Sequence, residues 1–194
     1  VERALTLNEF AADYLKGVKE TIDEISVKDL QEVVDAIEAA YTKGKQIFIV
    51  GNGGSASTAS HFACDLGKGA AAEGKPRFKV MSLTDNVASM TAIGNDLGFE
   101  HLFSEQLKNC LEEGDVVILI TGSGNSPNML KAAEYANSRE ATTIGFIGFG
   151  GGKLRDLVQK QITVSSRKYE MVEPVHLILE HLISFYFKQK LAAE

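Results

Sequence analysis

Apolar positions along the chain first recur at helical spacing and then gather into short runs. Between Leu5 and Ile25, the residues Leu7, Phe10, Ala11, Tyr14, Leu15, Val18, Ile22 and Ile25 fall about three or four apart, which predicts an amphipathic helix. "SVKD", from Ser26, has the form of a capping box. It opens a second helix with Leu30, Val33, Val34, Ile37 and Ala40 inward, and "KGK" ends that helix. Five short runs rich in β-branched residues follow, at Gln46–Val50, Phe78–Leu83, Val116–Thr121, Thr142–Ile147 and Gln161–Val164. Each of the first three leads through a small or polar turn into a helical segment. Runs without polar alternation predict strands of a parallel sheet covered on both faces. The last stretch, Val172 to Leu191, reads as one long helix that is apolar on more than one side. Such a helix packs on a neighbouring subunit as well as on its own sheet. The pattern predicts an α/β fold with a helical N-terminal extension, and it holds no internal repeat, linker or low-complexity segment.

Length and composition narrow this further. A chain of 194 residues is most simply one domain. A net charge of −6 argues against nucleic acid as the main partner. The longest apolar runs are only strand length, so no membrane span or signal peptide is expected. Cys64 and Cys110 make no disulfide framework, and the expected setting is reducing and cytoplasmic.

Two loops carry the first chemical signal. Strand one runs into "GNGGSAS" (Gly51–Ser57), and strand three runs into "TGSGNS" (Thr121–Ser126), with Pro127 at the first helical position. Glycines admit a ligand close to the backbone, while hydroxyls and free amides at a helix start supply donors to an anion. Either loop alone also reads as a plain strand–turn–helix connection. In a doubly wound five-stranded sheet of order 2-1-3-4-5, however, strands one and three flank the topological switch point, and the loops would face each other there. Neither loop is a dinucleotide or Walker fingerprint, and hydroxyls with amides suit a monophosphate. A third glycine-rich turn, "GFGGGK" (Gly148–Lys153), reads as structural.

"GNGGSAS", "HFACDL", "IGNDLGFEHLF" and "ITGSGNSPN" together resemble the sugar isomerase (SIS) domain family, and in combination its phosphoheptose isomerase branch. The resemblance covers almost the whole chain. It implies a single SIS domain over residues 1–194, with 1–44 used in oligomerisation and 45–194 forming the α/β core and final helix. It implies acid–base isomerisation of sedoheptulose 7-phosphate to D-glycero-D-manno-heptose 7-phosphate. It also implies a phosphosugar partner, a homotetramer with shared active sites, and a zinc or other divalent ion.

Such chemistry needs a phosphate anchor, a base for the proton beside the carbonyl, and an acid or metal for the charge on oxygen. The resemblance places phosphate and sugar contacts at Ser55, Thr121, Gly122, Ser123 and Ser126, first-loop contacts at Asn52, Gly53 and Gly54, and further substrate contacts at Asn95, Asp96 and Glu173. It places the acid–base pair at Asp65 and His181, and metal ligands at His61, Asp65, Glu173 and His181. Spacing alone reads His61 and Asp65, at i and i+4, as a helix-surface pair and His181 as a packed helix residue. The family pattern favours the functional reading. His101 and His176 read as structural, and Cys64 as core.

The chain departs from the family at two positions. Asp65 stands where the family usually has Glu, one methylene longer, and Glu173 stands where it has Gln. Two histidines and two carboxylates still suit a divalent ion. If a regular helix joins Glu173 to His181, their backbones lie about 12 Å apart. The expectation is that these two side chains meet one ion only from different subunits. Alternative readings are a non-catalytic phosphosugar-binding or regulatory SIS protein of the replication-initiator-associating type, or an isomerase of another phosphosugar. The acidic N-terminal helices offer no DNA-reading segment.

Overall fold

The computed structural model describes residues 6–193. Two helices come first, α1 (Leu7–Asp23) and α2 (Val27–Thr42). Thr6 caps α1 in a full capping box, accepting from the Glu9 amide while the Glu9 carboxylate accepts from the Thr6 amide at 2.8 Å. Ser26 caps α2, accepting from the Asp29 amide at 3.2 Å. Leu5, the expected first residue of helix one, lies outside the described residues.

The alternating part is β1 (Gln46–Gly51), α3 (Gly54–Cys64), β2 (Lys79–Ser82), α4 (Val87–Asp96), α5 (Leu102–Lys108), β3 (Val116–Thr121), α6 (Pro127–Ser138), β4 (Thr142–Ile147), β5 (Lys160–Thr163) and α7 (Tyr169–Ala193). All four strand pairings are parallel, as the pattern predicts, and the order is β2-β1-β3-β4-β5, the doubly wound order in which the two loops face each other. Strand ends shift from the expected ones by a residue or so.

Period-two alternation assigns each strand residue to one of two cores. Ile47 and Ile49 of β1 and Val116, Ile118 and Ile120 of β3 face a core closed by α2, α3 and α7. Phe48 and Val50 with Val117 and Leu119 face the other, closed by α5 and α6. Apolar side chains on both faces make the strands read as unbroken apolar runs.

The final helix starts earlier than Pro174 would suggest. Proline has no N–H to give the carbonyl four residues back, which leaves the Glu170 oxygen short of its helical donor. The Tyr14 hydroxyl donates to that oxygen at 3.0 Å, so α1 repairs the gap and the helix runs through the proline. Cys64, expected in the core, is exposed: α3 turns its own inner face, Ala59 and Phe62, to the sheet.

Candidate active site

The two loops meet where the sheet order reverses. In the first, Gly53 holds φ +55 and releases the chain into α3. In the second, Gly124 holds φ +64, and a Cβ there would fall 1.9 Å from the Gly151 carbonyl oxygen. Only glycine fits that approach. "GFGGGK" therefore braces loop two: the Leu154 amide donates to the Gly124 carbonyl at 2.9 Å, and the Lys153 amide to the Asn125 side chain at 3.1 Å.

The loops are also tied to each other. Asn52 and Asn128 exchange amide hydrogen bonds of 2.9 and 2.8 Å across the crevice, with Asn128 fully buried. Asn52 was expected as a substrate contact; its amide is committed to Asn128 here. Asn128 was not singled out from the sequence, because an Asn after Ser-Pro is ordinary at a helix start. Ser55 and Thr121 are buried within the loops, and Thr121 Oγ1 accepts from the Gly124 amide at 3.3 Å. Ser126 stands at the N-cap of α6, yet its hydroxyl makes no capping bond. That hydroxyl, Ser123 and the amides starting α3 and α6 could donate to an anion in the crevice. Gly122 lies under the Tyr169 ring, where a Cβ would meet a ring carbon at 2.6 Å.

Asp65 begins a wide π-type turn, Asp65–Gly69, that continues α3. The packing of α3 on α7 brings His61, Asp65 and His181 together. Asp65 Oδ2 lies 3.6 Å from His61 Nε2 and 3.7 Å from His181 Nε2. The two rings stand edge to face, 4.7 Å between centroids. His181 Nδ1 is 2.9 Å from the Leu177 carbonyl oxygen, which can only accept. Nδ1 is therefore the donor, and Nε2 faces Asp65. Asp65 and His181 open into a cleft of ≈ 500 Å³ that Ser184 and Lys188 also line.

A fourth donor was missed from the sequence. Glu180 is fully buried, and both its oxygens lack a hydrogen-bond partner. Its Oε1 lies 3.5 Å from Nδ1 of His61 and 3.5 Å from Nδ1 of His181. Burial pushes its carboxyl up to about 7, an effect His181 opposes and Asp65 reinforces. A lone carboxylate inside "HLILEHLISFYF" was the available signal.

One ligand atom from each of His61, Asp65, Glu180 and His181 can be chosen so that all lie within 4.8 Å of one another. Ligands at about 2.1 Å from a tetrahedral ion stand about 3.4 Å apart, so the spacing and the donor types fit a divalent metal. Glu173 is not among the four. Its carboxylate lies over loop one, where a Cβ on Gly54 would come within 2.5 Å of it. It lines a second cleft, of ≈ 540 Å³, with Tyr14, Ser57 and His61. His61 lines this second cleft, while its Nε2 meets Asp65, which lines the first.

Asn95 and Asp96 end α4, bonded to each other at 2.7 Å, on an exposed helix that packs against α5. His101 sits 3.0 Å from the Lys131 ammonium, and His176 is buried beside Phe146.

Residues 11–148 match the family model of the SIS domain. Phosphoheptose isomerases from Rhodospirillum rubrum and Burkholderia pseudomallei are 36% and 37% identical to the chain, over 79% and 83% of it and 81% of each relative. The chain belongs to the SIS domain family, in its phosphoheptose isomerase branch. The solved structure of the Neisseria gonorrhoeae phosphoheptose isomerase superposes on this SIS domain with a TM-score of 0.86 at 28% identity, covering 95% of the chain and all of that protein. The Vibrio vulnificus NanR protein, at 16% identity and a TM-score of 0.66, shares the SIS fold alone. Among the described residues of this SIS domain, no helix is long and apolar enough to cross a membrane.

Proposed function

We propose that the chain interconverts the aldose and ketose forms of a heptose phosphate, sedoheptulose 7-phosphate and D-glycero-D-manno-heptose 7-phosphate. The observation that carries this reading is the meeting of Asp65 with His61 and His181, at the far end of the helix that opens from loop one. The phosphate sits on Ser55, Thr121, Ser123 and Ser126 and on the amides opening α3 and α6. The Asp65 carboxylate takes the proton from the carbon beside the carbonyl and returns it to the former carbonyl carbon. His181, with Nδ1–H held on Leu177, passes a proton between the two oxygens through Nε2. Zinc, or another divalent ion, would be held by His61, Asp65 and His181, and there it would supply stabilisation of negative charge on the substrate oxygen in place of proton transfer through the His181 Nε2. Glu173 completes the set from a second subunit, as its 12 Å offset along α7 (about 1.5 Å per residue) requires.

The assembly belongs to the same proposal: a homotetramer with shared active sites. Ile178, Leu182 and Phe185 form an exposed apolar stripe on α7, and Leu7, Phe10 and Leu15 form another on α1. Faces of this kind end against a partner subunit.

The test is turnover of sedoheptulose 7-phosphate with and without zinc and a chelator. Asp65→Asn and His181→Ala are each expected to lower kcat about 10²- to 10⁴-fold. Absence of turnover by the assembled wild-type protein would favour a binding role, and unchanged rates in both variants would misplace the chemistry.

A further inference from the structure

The two carboxylates of the histidine cluster stand on opposite sides of the rings. Asp65 meets both imidazoles at Nε2, on the side open to solvent and to the cleft. Glu180 meets both at Nδ1, from the buried side. The geometry points to Glu180 as a positioning residue that stands behind His61 and His181 and turns their Nε2 atoms outward as the metal-binding and proton-handling face. This rests on the isomerase reading only for what that face does; the positioning itself is a property of the folded chain.

Three observations support the assignment. First, the two rings differ in what holds them. His181 Nδ1–H already has the Leu177 carbonyl as acceptor, whereas His61 Nδ1 has the Glu180 carboxylate at 3.5 Å, an ion-pair contact without hydrogen-bond geometry. A histidine ligand is oriented by the partner of its other ring nitrogen, and a carboxylate in that place also raises the basicity of the ligating nitrogen. Glu180 is therefore decisive for His61 and electrostatic for His181. Second, the ionised form of a buried carboxyl with no hydrogen-bond partner is disfavoured unless positive charge stands near it. A cation on the Nε2 side supplies that charge through both rings. Third, Glu180 is adjacent to His181 and one helical turn beyond Leu177, so the backbone of α7 fixes all three parts of the arrangement together.

The alternative is that Glu180 itself binds the ion. Glutamine separates the two, because its amide oxygen still accepts from an imidazole N–H but is a poor substitute for an ionised metal ligand. Zinc(II) affinity would be measured on the full-length, chelator-treated protein by competition with a chromophoric chelator, for the wild type, Glu180→Gln, Glu180→Leu and Glu173→Gln. Nitrogen-15 NMR of the four histidines at pH 8 would report which ring nitrogen carries the proton, with no metal and no turnover needed.

The positioning role predicts that Glu180→Leu loses 10- to 100-fold in zinc affinity and shifts His61 away from the Nδ1–H form. Glu180→Gln should stay within about threefold of wild type with the His61 form kept. An unchanged His61 form in Glu180→Leu would overturn the assignment, whatever the affinities. A Glu180→Gln loss as large as that of Glu180→Leu would make Glu180 a direct ligand and overturn it equally. Failure of the isomerase reading looks different: wild-type protein with the stated affinity and ring forms would turn over no heptose phosphate.

Discussion

His176 shows what burial does to one side chain. Its ring is enclosed beside Phe146, which pulls its pKa down to about 4; the nearby Ile147 carbonyl offsets this slightly without forming a hydrogen bond of good geometry. Between that value and the ordinary 6.5 the unfolded chain binds more protons than the folded one. Stability is therefore complete above pH 6.5 and declines as pH falls toward 4, by up to about 3 kcal/mol from this residue. Urea unfolding from pH 7 to 4 should show a shallower acid loss in His176→Leu than in wild type; parallel curves would contradict the burial argument. Its neighbour on the same buried stripe, Glu180, was hidden in the sequence for the opposite reason. A carboxylate in an apolar run reads as a solvated helix position until tertiary packing buries it. His61, Asp65 and His181 were singled out through the family resemblance, because spacing alone reads the first two as a helix-surface pair and the third as a packed residue. Cys64 was misread because facing was inferred from its neighbours, while α3 rolls its Ala59 and Phe62 side inward.

The loops act as elements, and their parts are not interchangeable. Loop two depends on Gly124, whose positive φ and contact with Gly151 leave no room for a side chain. Gly124→Ala should cost about 2 kcal/mol or more and raise KM for the phosphosugar, since the hydroxyls of Ser123 and Ser126 ride on that turn. A variant with wild-type melting and KM would show the loop to be more compliant than its geometry implies. Across the crevice, Asn128→Ala strips the Asn52 amide of both partners. The expected loss is about 1–3 kcal/mol, read by chemical denaturation, with the two loops decoupled. The apolar pattern places the start of α7 at Val172, whereas the helix begins at Tyr169 and runs through Pro174. The missing donor is supplied by Tyr14, a residue too distant in the chain for local pattern to reveal.

At the scale of the whole molecule, the apolar stripe of Ile178, Leu182 and Phe185 argues for assembly. Phe185→Asp is expected to convert the proposed tetramer to smaller species in sedimentation while leaving helix content unchanged. A tetramer that persists would place the interface elsewhere. Strand order is not set by local pattern, whereas the sequence by itself determined the layered α/β fold and the position of both loops. Those follow from local periodicity and from the parallel-sheet rule that puts a ligand crevice where the order reverses. It also determined which residue types are present for acid–base work. Only the tertiary structure decided that Glu180 joins the histidines and that Glu173 lies instead over Gly54. The physical reason is that one turn of α7 advances about 5.4 Å, so the helix spreads its carboxylates over separate neighbours. Which neighbour each one meets is set by how α3 and α7 pack on the sheet, a relation between distant segments that no local pattern encodes.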